Sequence, residues 1–93
     1  AIGTLAMAAN TTGASNVALG AYALDANTTG ASNTAVGKSA LSANTTGTKH
    51  TAVGLNAGIA VDGSEENTLL GAYAGSGITS GGYNRCLYRC LWC

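Results

Sequence analysis

Hydrophobic and polar positions along the chain repeat together every 17 residues. A short apolar segment that ends in glycine recurs without insertion or deletion at 1–3, 18–20, 35–37, 52–54 and 69–71. The same register aligns Asn-Thr-Thr-Gly at 10–13, 27–30 and 44–47 and, more loosely, the segments 61–64 and 78–81. Positions 17 residues apart therefore form columns, and the period accounts for the whole chain as about five and a half copies.

Each repeat is predicted to be one coil of a parallel β-solenoid rather than a pair of helices. Apolar segments such as 21–26 lie between Gly and Asn-Thr-Thr-Gly, and helices that short form only with strong packing. Helix-pair repeats need about 33 residues or more. Seventeen residues suit two or three short strands joined by tight turns, and β-branched residues beside Ala at 33–36 and 49–53 favour strands. The predicted fold class is all-β.

Stacking assigns a role to each column, because equivalent positions in parallel strands lie about 4.8 Å apart. An aliphatic column is assigned to the lumen: Ile2, Leu19, Val36, Val53, Leu70 and Leu87. Two glycine columns are assigned to backbone bends, the first with positive φ: Gly3, Gly20, Gly37, Gly54 and Gly71, then Gly13, Gly30, Gly47 and Gly81. A polar column is predicted to form an amide ladder in which each side chain donates to the next, with a histidine that still hydrogen-bonds: Asn16, Asn33, His50, Asn67 and Asn84.

The outward face of the strands is predicted to carry a stripe of small apolar residues. Successive side chains of a strand point to opposite faces, so an inward Val36 turns its neighbour Ala35 outward. The stripe consists of Ala18, Ala35, Ala52 and Leu69. Small side chains on a thin rod allow another chain to approach closely, and we expect three chains to associate in a closed ring.

Three segments resemble the head repeat of trimeric autotransporter adhesins, the YadA-like head. They are Asn-Thr-Ala-Val-Gly-Lys-Ser-Ala-Leu at 33–41, Asn-Val-Ala-Leu-Gly at 16–20 and His-Thr-Ala-Val-Gly at 50–54. Phage and viral tail-fibre proteins carry similar repeats with Asn-Thr-Thr-Gly, and the 17-residue spacing favours these relatives. The resemblance covers residues 1–84 and implies a left-handed β-roll, a homotrimer and no catalytic residues. It also implies an extracellular place, on a bacterial cell surface or a virion tail fibre, and a host-surface receptor or matrix as partner.

Composition narrows the function classes. Charged residues make up 9% of the chain and the net charge is zero, which gives no electrostatic signal for nucleic acid. The longest apolar stretches, such as Leu5 to Ala9, are too short to insert across a bilayer. A chain of 93 residues whose apolar content is mostly Ala builds a small core, for which association is a usual remedy. The predicted partners are further copies of the chain.

The three cysteines lie within the last eight residues, at Cys86, Cys90 and Cys93. This C-x3-C-x2-C spacing holds an iron–sulfur cluster in radical enzymes, but nothing else in the chain builds the barrel that encloses one. Cys86 and Leu87 continue repeat columns, whereas Tyr88 replaces the column glycine. We therefore divide the chain into a repeat region, 1–84, and a degenerate end coil or junction, 85–93, and predict no cofactor.

Other candidate sites are weaker. Asp62, Glu65 and Glu66 are close enough in sequence to hold Ca²⁺ through oxygen atoms, but their spacing fits no calcium loop, and a solvated turn is preferred. His50 has no Ser, Cys or acid at a repeated position that would indicate a catalytic site. The prediction is a protein without metal or enzymatic activity.

Three readings of the ends and the Thr pairs remain open. A solenoid without caps exposes strand edges, which allows an end-to-end filament. Thr pairs at 11–12, 28–29 and 45–46 stack into columns, which allows ice binding, although adjacent hydroxyls of an extended strand point oppositely. The same triplets are formal glycosylation sequons at Asn10, Asn27 and Asn44, interpreted here as turn residues.

Overall fold

The computed structural model describes residues 1–63, 65–78 and 85–86. Regular secondary structure in these residues consists of five short strands, with no helix. The strands are β1 (Val17–Leu19), β2 (Thr34–Val36), β3 (Thr51–Val53), β4 (Thr68–Leu70) and β5 (Arg85–Cys86). They form one parallel sheet in chain order, which confirms the predicted all-β, parallel fold. Within the described part of the chain, no helix is long and apolar enough to cross a membrane.

The strands pair at a constant offset of 17 residues, as Ala18 pairs with Ala35 in β1 and β2. Parallel strands need a return connection of about a dozen residues or more, and the segment 20–33 supplies it between these two strands. The returning backbone also bonds to the next repeat, because the N–H of Thr28 donates to the carbonyl of Thr45 at 2.9 Å. Equivalent residues of successive repeats therefore stack on each other outside the strands as well as within them.

The glycine after each strand is required by both conformation and space. Gly37 has a φ of +127°, a value that residues with a side chain rarely adopt. A Cβ on Gly37 would lie 2.5 Å from the carbonyl oxygen of Gly54, so stacked repeats meet here backbone to backbone. The predicted positive-φ bend is confirmed for Gly3, Gly20, Gly37, Gly54 and Gly71.

The glycine of Asn-Thr-Thr-Gly is required by space. The chain bends at Thr28 and Thr29, and Gly30 is buried. A Cβ on Gly30 would lie 2.5 Å from Asn27 Oδ1 and would also meet the carbonyl oxygen of Gly47. This column therefore marks a second bend, as predicted; its member Gly81 lies outside the described residues.

The lumen column chosen from the sequence is wrong. The central residue of each strand points inward instead, and its exposure is 3% or less: Ala18, Ala35, Ala52 and Leu69. Ile2, Leu19 and Leu70 are 70%, 44% and 48% exposed, while Val36 and Val53 are half-buried. Leu87 lies outside the described residues. The stripe predicted to contact another chain is therefore part of the core.

The width of the interior explains the reversal. Leu24 and Leu41 enter from the opposite wall and are fully buried. The two walls abut, since a Cβ at position 58 in the Leu41 column would lie 2.6 Å from Leu69 Cδ1 in the Ala52 column. Where leucine occupies one wall, only a small side chain fits the other at native packing density. Size, rather than hydrophobicity, decides which face of the strand is inside.

Farther along the chain the large side chain of the interior comes from the strand rather than from the wall that faces it. Gly58 and Gly75 occupy the column that holds Leu24 and Leu41, and Leu69 replaces alanine on the facing wall. A Cβ on either glycine would lie 2.6 Å from a methyl carbon of Leu69. Leu69 thus fills the volume that the missing leucines leave.

Candidate interface and buried amide columns

The outer face of the sheet carries aliphatic and hydroxyl side chains and no charge on β1 to β4. It is formed by the first and third residues of these strands: Val17, Leu19, Thr34, Val36, Thr51, Val53, Thr68 and Leu70. Because the strands pair in register, Leu19, Val36, Val53 and Leu70 form one continuous row. We call this row the outer aliphatic column. Thr34, Thr51 and Thr68 form a parallel row of hydroxyl-bearing side chains.

Large apolar side chains are also exposed beyond the glycine bend. Leu5, Tyr22, Leu55 and Tyr73 are 55%, 39%, 41% and 41% exposed. Tyr22 and Tyr73 share a column and a left-handed backbone, with φ of 63° and 61°. Clustered exposed apolar side chains mark interaction surfaces in soluble proteins. The outer face of the sheet is therefore the candidate interface.

The column of Asn16 forms a ladder, but its bonds are not the predicted amide-to-amide bonds. The backbone N–H of Asn33 donates to Asn16 Oδ1 at 2.9 Å. The Asn33 side-chain amide donates to the carbonyl of Gly47 at 2.8 Å, as that of Asn16 does to Gly30. Each side chain therefore ties its own repeat to the backbone of the next. Asn84 lies outside the described residues.

His50 is fully buried in this column and takes over the role of asparagine. Its backbone N–H donates to Asn33 Oδ1 at 2.9 Å. Its Nδ1 accepts from the backbone N–H of Asn67 at 3.4 Å, where an asparagine would offer Oδ1. The interpretation of His50 as a substituted ladder residue agrees with these bonds.

Amide-to-amide bonds occur instead in the column of Asn10, which was interpreted as a turn. Asn27 Nδ2 donates to Asn10 Oδ1 at 2.9 Å, and Asn44 Nδ2 donates to Asn27 Oδ1 at 3.1 Å. Asn27 and Asn44 are fully buried, so their nitrogens are closed to glycosylation in the folded chain. A signal for burial was present: the same column continues as Val61 and Ile78, whose apolar side chains belong inside.

The first threonine of each pair bonds within the chain. Thr11 Oγ1 donates to the carbonyl of Thr28 at 3.0 Å, and Thr28 Oγ1 to that of Thr45 at 3.2 Å. The second threonines, Thr12, Thr29 and Thr46, are exposed. The first threonines therefore bond to the next repeat, while the second threonines form an exposed row.

The acidic side chains bond to different neighbours rather than to one centre. Asp62 Oδ1 accepts from the backbone N–H of Thr45 at 2.9 Å and from its hydroxyl at 2.7 Å. Glu66 lies 3.7 Å from Lys49 Nζ, and Glu65 is exposed. Among the described residues, no three His, Cys, Asp or Glu side chains converge as metal ligands, and no cavity opens. Of the three terminal cysteines, Cys86 is placed only as a residue of β5, and Cys90 and Cys93 lie outside the described residues.

Comparison with known proteins assigns no family to this geometry. No family model, no curated protein and no solved structure matches the chain. The functional conclusion therefore depends on the repeat geometry and on the outer face.

Proposed function

We propose that the chain is a segment of a left-handed parallel β-solenoid that serves as a structural and adhesive part of a homotrimeric surface fibre. In this proposal the segment gives reach and rigidity and catalyses no reaction. Its place is extracellular, on a bacterial cell surface or a virion tail fibre, and its further partner is a host-surface receptor or matrix. The resemblance to adhesin-head and tail-fibre repeats supplies this setting.

The observation that carries the proposal is the recurrence of one contact set every 17 residues. The bond from the Asn33 N–H to Asn16 Oδ1 recurs as the bond from the His50 N–H to Asn33 Oδ1, and both measure 2.9 Å. A repeat that contacts only its neighbours builds a rod whose length grows with repeat number. Such a rod suits a fibre better than it suits a catalytic pocket.

The outer face supports self-association, through a different row from the one expected. Ala35 and its equivalents are buried, so the proposed contact between chains is the outer aliphatic column with its neighbouring threonines. This face carries no charge on β1 to β4, whereas Lys49 and Glu66 lie on another part of the repeat. Interface centres are depleted in charge, and a second and third copy of the chain match a face of this chemistry.

Light scattering coupled to size-exclusion chromatography tests the proposal. We expect a particle of three times the 9.1 kDa chain mass. A Val36→Lys, Val53→Lys double variant places two charges in the centre of the proposed contact and should elute as a monomer with an unchanged β-type circular dichroism spectrum. A Thr29→Lys, Thr46→Lys variant is the matched control, because these residues are exposed at the second bend, the one at Asn-Thr-Thr-Gly. It should remain a trimer.

Other outcomes lead to different functions. A wild-type chain that stays monomeric at high concentration would contradict the trimer. Growth into filaments would favour end-to-end stacking of the chains. Thermal hysteresis that is lost when Thr29 or Thr46 is replaced would favour ice binding.

A further inference from the structure

We propose that the column of Tyr22 and Tyr73 is a binding row for an extended acidic polysaccharide, which lies along the direction in which the repeats stack. This site rests on the proposed adhesive function, because it gives the chemical class of the partner. It lies beyond the glycine bend, outside the strands, and the proposed contact between chains does not use it. Its backbone, its side chains, its length and its charge each support the proposal.

The column has the same left-handed backbone in each repeat that the structure describes. The φ values lie between 55° and 63° at Leu5, Tyr22, Ser39, Asn56 and Tyr73. Each backbone N–H from Tyr22 onward donates to the preceding repeat, as that of Tyr22 does to the carbonyl of Thr4 at 2.9 Å and that of Tyr73 to the carbonyl of Leu55 at 2.7 Å. Equal φ values and equal bonds direct the Cβ atoms alike. The side chains therefore start from one row along the stack.

The row presents aromatic rings at two positions and hydrogen-bonding groups between them. Tyr22 and Tyr73 are 39% and 41% exposed. Ser39 and Asn56 lie between them, half-buried, and bring a hydroxyl and an amide. The C–H face of a pyranose ring packs on a flat aromatic ring, while the hydroxyl groups at its edge need hydrogen-bonding partners. Rings with polar groups between them therefore suit a chain of sugars.

The spacing of the two tyrosines fits such a chain. Tyr73 follows Tyr22 by three repeats of 17 residues, which is about 14 Å at the spacing of parallel strands. A pyranose unit in an extended β-linked chain advances by nearly the length of one repeat, so two rings three units apart reach both tyrosines. A polyproline II peptide advances about 9 Å in each turn of three residues, and the distance between the tyrosines is not a whole number of such turns.

The charge beside the row is positive. Lys38 is exposed and directly precedes Ser39, in the middle of the row. The row and the column before it, at 4, 21, 38, 55 and 72, contain no acidic residue. Asp25, the acid closest to the row in sequence, is half-buried and has its Oδ1 enclosed. A sugar chain with carboxylates, built of uronate units, therefore fits the row by charge.

Isothermal titration calorimetry with a hexamer of β-(1→4)-linked glucuronate tests the proposal. We expect the wild-type chain to bind it, and Tyr22→Ser and Tyr73→Ser each to bind about tenfold more weakly. Serine already occurs in this column at Ser39 with a φ of 60°, so the backbone accepts the change. Tyr22→Phe keeps the ring and should bind within about twofold of wild type. Thr29→Ala, at the exposed second bend, is the control and should bind as wild type does.

Cellohexaose, the neutral chain of the same linkage, tests the charge. It should bind about threefold more weakly than the glucuronate hexamer, and Lys38→Gln should remove that difference. Equal affinity of the wild-type chain for both sugars would overturn the proposal, as would serine variants that bind like wild type. Failure of the glucuronate hexamer to bind, or tighter binding of a polyproline peptide, would overturn it too. Light scattering on the same samples reports the trimer separately, so a monomer that binds the sugar through both tyrosines contradicts the assembly and supports this site.

Discussion

In the described chain, an N-terminal part, residues 1–50, and a C-terminal part, residues 51–63 and 65–78, fill one backbone frame with different side chains. In the N-terminal part the interior combines amides with leucines: Asn27, Asn44, Leu24 and Leu41. In the C-terminal part the equivalent positions hold Val61, Ile78, Gly58 and Gly75. The glycine bend barely changes between the parts, with φ of +128° at Gly20 and +135° at Gly54. The course of the backbone, which we call the frame, is therefore set by the stacking of backbone on backbone. It accommodates either polar or apolar side chains in the interior.

The buried amide column of the N-terminal part loses a hydrogen bond where it meets the apolar interior of the C-terminal part. Asn44 Nδ2 bonds to Asn27 Oδ1 at 3.1 Å, yet Asn44 Oδ1 is buried without a hydrogen-bond partner in the described part of the chain. The next residue in the column is Val61, which has no donor to offer. An unsatisfied buried acceptor costs about 1–3 kcal/mol. The junction of the two parts is thus a local weak point.

The frame itself should respond most strongly to substitution. Gly37→Ala places a Cβ 2.5 Å from the Gly54 carbonyl oxygen at a φ of +127°, and we expect a loss of about 4 kcal/mol or more in the free energy of unfolding. Gly63→Ala is the control, because among the described residues its Cβ would meet only Thr46 Oγ1, at 3.7 Å. With a φ of +68° at that position, it should lose about 1 kcal/mol. Urea unfolding followed by circular dichroism measures both, and equal losses would show that stacked glycine backbones do not define the frame.

The exchange of the large residue between walls should appear as coupling. Leu69→Ala leaves a cavity and should cost about 3 kcal/mol. Gly58→Leu alone collides with Leu69, since even a Cβ there lies 2.6 Å from Leu69 Cδ1. The double variant recreates the pairing of alanine and leucine in the N-terminal part, and it should recover about 2 kcal/mol relative to the sum of the single changes. Additive losses in a urea double-mutant cycle would mean that the two positions do not share one volume.

Substitution in the buried amide column should cost more stability than substitution at the apolar positions of the same column. Asn27→Ala removes a fully buried member of the ladder. It leaves Asn10 Oδ1 without its donor and Asn44 Nδ2 with only its bond to the Gly47 carbonyl, at an expected cost of about 2 kcal/mol. Val61→Asn extends the ladder toward the unsatisfied Asn44 Oδ1 and should change stability by less than about 1 kcal/mol. Urea unfolding compares the two. A larger loss for Val61→Asn than for Asn27→Ala would contradict the account of the junction.

The sequence predicted the frame well because the frame depends on local conformation. Glycine at a fixed interval predicts a positive-φ bend, which occurs at Gly20 and Gly37. Equal spacing without insertions predicts the parallel stacking of the repeats. Polar residues that recur in one column predict hydrogen bonds between repeats, and Asn33 makes such bonds, although to backbone groups rather than to the predicted amides. These features need no knowledge of what lies across the interior.

The sequence could not decide which face of the strand is inside. Alternation distinguishes the two faces, but hydrophobicity favours Val36 over Ala35 for the interior, whereas the narrow space beside Leu41 admits only Ala35. Asn27 was missed because Asn-Thr-Thr-Gly is a turn sequence whichever way the asparagine points. Both errors concern distances across the repeat, which periodicity along the chain does not contain.

Hydrogen-bond scalar couplings across the backbone test the central claim most directly. In deuterated protein, NMR should detect a coupling from the Thr28 N–H to the Thr45 carbonyl, 17 residues away at 2.9 Å, and from the Thr34 N–H to the His50 carbonyl at 2.8 Å. Couplings between residues four apart along these segments, or none across repeats, would contradict a fold built by stacking each repeat on the next.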